Sequence, residues 1–299
     1  MSSVDLTAPA ASDLTPPVGG PVGDRPRYRG AFLRLYRGEM RLVLRRRRNV
    51  ALLAVLAVVP IFIGVAVKIS TPRGGDGPQF IGQISGNGLF LVFTALTVSL
   101  PFFLPLVVGV VAGDSIAGEA GLGTLRYLLT VPVTRGRFLA VKALGVASFT
   151  AVAVLVVAVV GLITGGALFG LGSLTLLSGD TVGLGDGFLR AAGIALYVIV
   201  ALLALAAAGV FVSTLTENAI AAMATTIGIA VFSALLDAVP QLSSIHGYLL
   251  TDHWLGFGEL LRSSVSYGDL WRWSALHVAY IAVFISLAWS QMMTKDVTS

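Results

Sequence analysis

The chain has 299 residues, 56% of them hydrophobic and 12% charged, with mean hydropathy +0.89 and a formal net charge of +5. Soluble domains carry about 25% charged residues, so a water-soluble globular protein is excluded. With no cysteine, disulfides and thiolate metal sites are excluded as well.

Residues 1–27 are rich in Pro, Gly and Ser and have no apolar core segment. They predict a disordered cytoplasmic tail, not a cleaved signal. Residues 28–49 predict a basic amphipathic helix. At 100° per residue, Arg34, Arg37, Arg41, Arg45 and Arg48 share one sector, opposite Phe32, Leu35, Tyr36, Met40 and Val43. Such a helix lies in a membrane interface. Glu39 falls in its apolar sector and needs a partner; Arg46, two turns on, has nearly the same angle.

Apolar runs near 20 residues follow at about 50–69, 88–113, 138–166, 189–213, 217–240 and 273–293. That length spans a bilayer as helix. Lipid offers backbone groups no hydrogen bonds, so the fold class is all-α: a six-helix membrane domain over 50–299. Pro101 and Pro105 should kink the second span. Thr94, Thr97 and Ser99 lie nearby and can face a polar cavity or bond within the helix. The turn STLTENA (213–219) joins the fourth and fifth spans. Its hydroxyls and Asn218 can cap the adjoining helix ends, and Glu217 suits a helix N-terminus. The outer loop 241–272 predicts short helices dipping into the outer leaflet, with Trp254, Trp271 and Trp273 near the interface.

Arginine and lysine set the orientation. Residues 1–49 hold ten arginines, and Arg126, Arg135, Arg137, Lys142 and Lys295 fall on the same side. That side is cytoplasmic by the positive-inside rule, so both termini are cytoplasmic. The basic charge is explained by topology, and no nucleic-acid partner is expected. Arginine outnumbers lysine 17 to 3 among abundant Ala, Val and Gly. That bias hints at a GC-rich bacterial genome and no more; the expected location is a bacterial plasma membrane.

Chemistry-bearing motifs are few. There is no GxxxxGK[ST] phosphate loop, so the chain is not itself an ATPase of that kind. His246, His253 and His277 have no metal-ligand spacing. Two other functions stay open on the residues alone. An ion-coupled or passive carrier would use Asp237 and Glu217. An intramembrane hydrolase would pair Ser173 with His277.

The loop 114–137 carries the strongest signal. It has an acidic residue, Glu119, then Gly123-Thr124-Leu125, Leu128-Leu129 and Pro132-Val133-Thr134-Arg135, with Lys142 opening the third span. Glu119 and Arg126 are about two turns apart if helical. An exposed pair there would contribute at most about 1 kcal/mol.

This pattern resembles the membrane subunits of ABC-2 type exporters, and Glu39 with the arginines after it (Arg41, Arg45) resembles the family's elbow helix before the first span. The resemblance implies a permease subunit that works as a dimer of six-span units, the second permease being identical or homologous. It also implies two copies of a separate ABC ATPase, which hold the ATP and Mg. Glu119, Gly123, Thr124, Leu125, Arg126, Leu128, Leu129, Pro132 and Arg135 would form the coupling surface. The second and fifth spans would line the pathway, with Thr94, Thr97, Phe102, Thr225 and Thr226 as candidate lining residues. No cofactor is expected on this chain, and membrane lipid is its other partner. The substrate is not legible.

Overall fold

The computed structural model describes residues 30–70, 87–121, 134–176 and 179–294. The predicted tail 1–27 lies outside the described residues, as do Gly123, Thr124, Leu125, Arg126, Leu128, Leu129 and Pro132 of the coupling loop.

Helix α1 (Ala31–Arg45) is followed directly by α2 (Arg47–Ser70). The predicted second span is divided into α3 (Leu89–Ser99) and α4 (Phe103–Gly121). Proline chemistry accounts for the break. Pro105 has no N–H for the carbonyl of Pro101, and the Pro101 ring crowds the carbonyl of Thr97. The last bond before the break runs from Leu100 N–H to Leu96 O at 2.9 Å, and the first after it from Leu106 N–H to Phe102 O at 3.1 Å.

The third span, α5 (Arg135–Phe169), has 35 residues. At 1.5 Å per residue it is about 52 Å long, well beyond a hydrocarbon core of about 30 Å. A two-residue antiparallel pair, β1 (Leu174–Thr175) with β2 (Thr181–Val182), follows it. Next come α6 (Leu184–Leu215) and α7 (Ala219–Asp237). A 3-10 turn (Pro240–Leu242), α8 (Ser243–His246) and a 3-10 segment (Trp254–Leu261) lead to α9 (Tyr267–Thr294). Asn218 caps α7 as expected, its Oδ1 accepting from the N–H groups of Ile220 and Ala221.

Six described helices, α2, α4, α5, α6, α7 and α9, are long and apolar enough to cross a bilayer. The protein is an all-α multi-pass membrane protein. Helix α6 is the most enclosed span, while α2, α7 and α9 are the most exposed. It packs against α9, α4, α5 and α7; α2 and α3 lie against α5. The interior is built from large apolar side chains such as Phe93, Leu96, Phe149, Leu202 and Leu205. Outward-facing Phe62 and Ile69 are 71% and 80% exposed. In lipid that exposure costs nothing, because acyl chains are as apolar as the protein surface.

One crossing is backbone on backbone. A Cβ on Gly88 would stand 2.2 Å from the Gly165 carbonyl, and one on Gly165 would stand 2.1 Å from Gly88 O. Only glycine permits this approach between the start of α3 and α5.

The contacts sort into two ends. At one end, residues of α1 and the start of α2 meet the end of α4 and the start of α5, and the end of α6 meets α4. Arg135 at the start of α5 also reaches the last turn of α9. Both described termini therefore lie at this end, together with most of the described arginines. This is the basic end of the bundle. At the far end, Lys68 Nζ donates to Leu168 O at 2.8 Å, and Arg190 donates to the carbonyls of Leu260 and Arg262.

Candidate functional site

Helix α1 stops because the Arg46 backbone turns extended, at φ −60° and ψ 123°. The buried Asn49 side chain then donates to Val43 O at 2.8 Å, satisfying a carbonyl that the ended helix leaves open. This break swings Arg46 and Arg48 onto α4. Asp114 Oδ2 accepts from Arg46 Nη1 at 2.5 Å and from Arg48 Nη2 at 2.6 Å. The Asp114 side chain is 10% exposed and the two arginines are nearly half exposed. Gly118 makes room for it, since a Cβ there would fall 2.3 Å from Asp114 Oδ1.

A second clasp lies beside the first. Lys142 Nζ donates to both carboxylate oxygens of Glu39 at 3.0 Å each and also pairs with Glu119. Its side chain is 6% exposed. One lysine thus joins α1, α4 and α5. Three cations and three carboxylates surround a cavity of about 30 Å³, enough for an ordered water. Charges this enclosed are kept only when paired.

Between the two acids, α6 reaches into α4. Ser213 Oγ accepts from the N–H groups of Ile116 and Ala117 at 3.0 and 2.8 Å, and donates to Gly113 O at 2.7 Å. A hydroxyl inserted into a helical ladder marks a place where the helix can bend. Ser213→Ala removes three buried hydrogen bonds between α6 and α4. It is expected to cost about 1 kcal/mol, measured as a lowered Tm of the detergent-solubilised chain.

The structure places the sequence-predicted residues as follows. Glu39 pairs with Lys142 and not with Arg46. The wheel assumed one continuous helix, and the break at Arg46 sends that guanidinium to Asp114 instead. Glu119 sits in the junction, and the proposed Arg126 partner lies outside the described residues. Arg135 Nη1 donates to Met293 O at 3.2 Å, at the end of α9. Arg41 and Arg45 are exposed.

Of the candidate lining residues, Thr94 and Thr226 are buried, with hydroxyls returned to Phe90 O and Ala222 O. Thr97, Phe102 and Thr225 are exposed. Asp237 ends α7 with His246 Nδ1 at 3.9 Å. His277 is buried edge-on against Tyr197. Ser173 offers its carbonyl to Asn87, and among the described residues no hydrogen bond joins Ser173 to His277.

Sequence reasoning passed over Asp114, Asn49 and the bridging reach of Ser213, and took Lys142 only as part of a motif. A signal for Asp114 was present. It is the first charge after a long uncharged stretch, and an ionisable group at the edge of a span demands a partner.

The sequence is similar to that of known proteins. Residues 33–281 match the family described as ABC-2 family transporter protein. Over 80 residues the chain is 36% identical to the probable ABC transporter permease protein NosY of Pseudomonas aeruginosa. That stretch covers 27% of this chain and 29% of the relative. With a match running from the basic helix α1 into the last span, the chain belongs to the ABC-2 family of transporter proteins.

Proposed function

We propose that this chain is the permease subunit of an ATP-driven exporter in a bacterial plasma membrane, with its basic end in the cytoplasm. The positive-inside rule supports that orientation. Two such six-span units, identical or homologous, form the pathway. Two copies of a separate ATPase supply the work and hold the ATP and Mg; the chain has no phosphate-loop sequence of its own. The exposed Thr97, Phe102 and Thr225 belong to the surface turned toward the pathway.

The observation that carries the reading is the triple attachment of Lys142. Residues 122–134 connect α4 to α5, and Glu119 and Lys142 stand on either side of that connection. A push on it acts on both spans, and through Glu39 it also reaches α1. The amphipathic α1, with Phe32, Leu33, Leu35 and Leu42 exposed, lies in the interface and anchors the reaction to that push.

Affinity purification from native membranes in mild detergent tests this. The expected result is a co-purifying P-loop ATPase, and no ATP hydrolysis by the chain alone. Recovery without such a partner, together with unassisted transport in liposomes, would overturn the proposal.

A further inference from the structure

Helices α5, α6 and α9 enclose a groove of about 410 Å³ toward the basic end. Its walls are almost wholly apolar: Ala143, Leu144 and Ala147 from α5, Ala207 from α6, and Ile281 and Ile285 from α9. The space therefore suits a single hydrocarbon chain.

Arg137 and Trp289 stand about one helical turn beyond the lining residues Ala140 and Ile285, toward the basic end. Arg137 shares a face of α5 with the groove-lining Leu144, at the helical spacing of seven residues. It is exposed, and among the described residues it makes no ion pair or hydrogen bond. On α9, Trp289 continues the line of Ile281 and Ile285 at four-residue steps. It is 47% exposed and packs on Gly136, where a Cβ would strike its ring at 2.2 Å. Arginine and tryptophan at one level mark a headgroup boundary. From Arg137 to Ala147 the helix descends about 15 Å, which is half of a hydrocarbon core about 30 Å thick.

We infer that this groove binds an acyl chain of an anionic glycerophospholipid from the cytoplasmic leaflet, with the lipid phosphate on Arg137. The guanidinium fork matches phosphate oxygens. The choice of leaflet rests on the orientation proposed above.

The test uses the full chain, delipidated in micelles and resupplied with phosphatidylglycerol or phosphatidylcholine of identical acyl chains. Native mass spectrometry counts the lipids retained. The wild type is expected to retain phosphatidylglycerol about fivefold better, the ratio that one arginine near an anionic headgroup supplies. Arg137→Gln should remove that preference while chain binding persists. Ala143→Phe fills the groove and should abolish retention of both lipids; Ala147→Phe serves if the first variant loses helicity. Equal retention of the two lipids by the wild type overturns the inference. So does unchanged retention by well-folded groove-filling variants, or a change in dimer fraction alone, which would assign the groove to a second copy. Micelles have no sidedness, so a wrong orientation would leave these results standing. Reagent access to Arg137→Cys in intact cells tests orientation separately.

Discussion

Lys142→Met is expected to destabilise the subunit by about 3–5 kcal/mol, the usual cost of removing one partner from a buried ion pair. Glu39 and Glu119, with side chains 12% and 15% exposed, would face each other without the cation that Lys142 supplies between them. The thermal midpoint of the solubilised chain reads this loss. A triple variant, Glu39→Gln with Glu119→Gln and Lys142→Met, removes the charges together and should recover most of the stability, because apolar or neutral replacement of a whole buried ion group is often neutral. ATP-driven transport by the complex should stay impaired in the triple variant, since the link from α1 to α4 and α5 is gone. Full recovery of transport would mean that the lysine clasp is structural only.

The second large effect is expected at Asp114. Asp114→Asn takes the anionic partner from Arg46 and Arg48 together. Both guanidiniums are nearly half exposed and can rehydrate, so the stability cost should stay near 1 kcal/mol. Transport should fall by about tenfold, equivalent to about 1.4 kcal/mol of lost coupling, because the break between α1 and α2 is no longer tied to α4. Gly118→Ala provides an independent route to the same result. Its Cβ would displace the Asp114 carboxylate from the arginines without changing any charge. Transport assays with both variants should agree. A normal rate in either one would separate the Asp114 clasp from coupling.

The membrane architecture was legible because lipid imposes it locally. Each span must be long, apolar and internally hydrogen-bonded, and these properties are written in consecutive residues. The helices run past the apolar limits where polar first turns extend them. Helix α6 begins at Leu184 and not at 189, with Asp186 in its first turn; α9 begins at Tyr267 and not at 273, with Asp269 in its first turn. Carboxylates at those positions favour the N-terminal dipole. Pro101 and Pro105 announced a kink, and the structure carries it through to a break.

The junction was only half legible. Glu39 was seen to need a partner, but its true partner is 103 residues away. Asp114 meets Arg46 across 68 residues. Pairings that distant depend on how the helices are arranged, and a helical wheel contains no such information. The stop at Arg46 also has no glycine or proline to signal it. It rests on Asn49 folding back to Val43 and on the pull of Asp114, both of which are tertiary effects.

The proposed docking of an ATPase on the segment joining α4 to α5 is open to a direct crosslinking test. The chain has no cysteine, so one can be introduced at a chosen position and armed with a short photo-crosslinker. Leu125→Cys probes the segment itself, and Trp271→Cys probes the far end of the bundle. The expected result is a covalent adduct with a P-loop ATPase from position 125 and none from position 271. An ATPase adduct from 271, or none from 125 in an assembled and active complex, would contradict it.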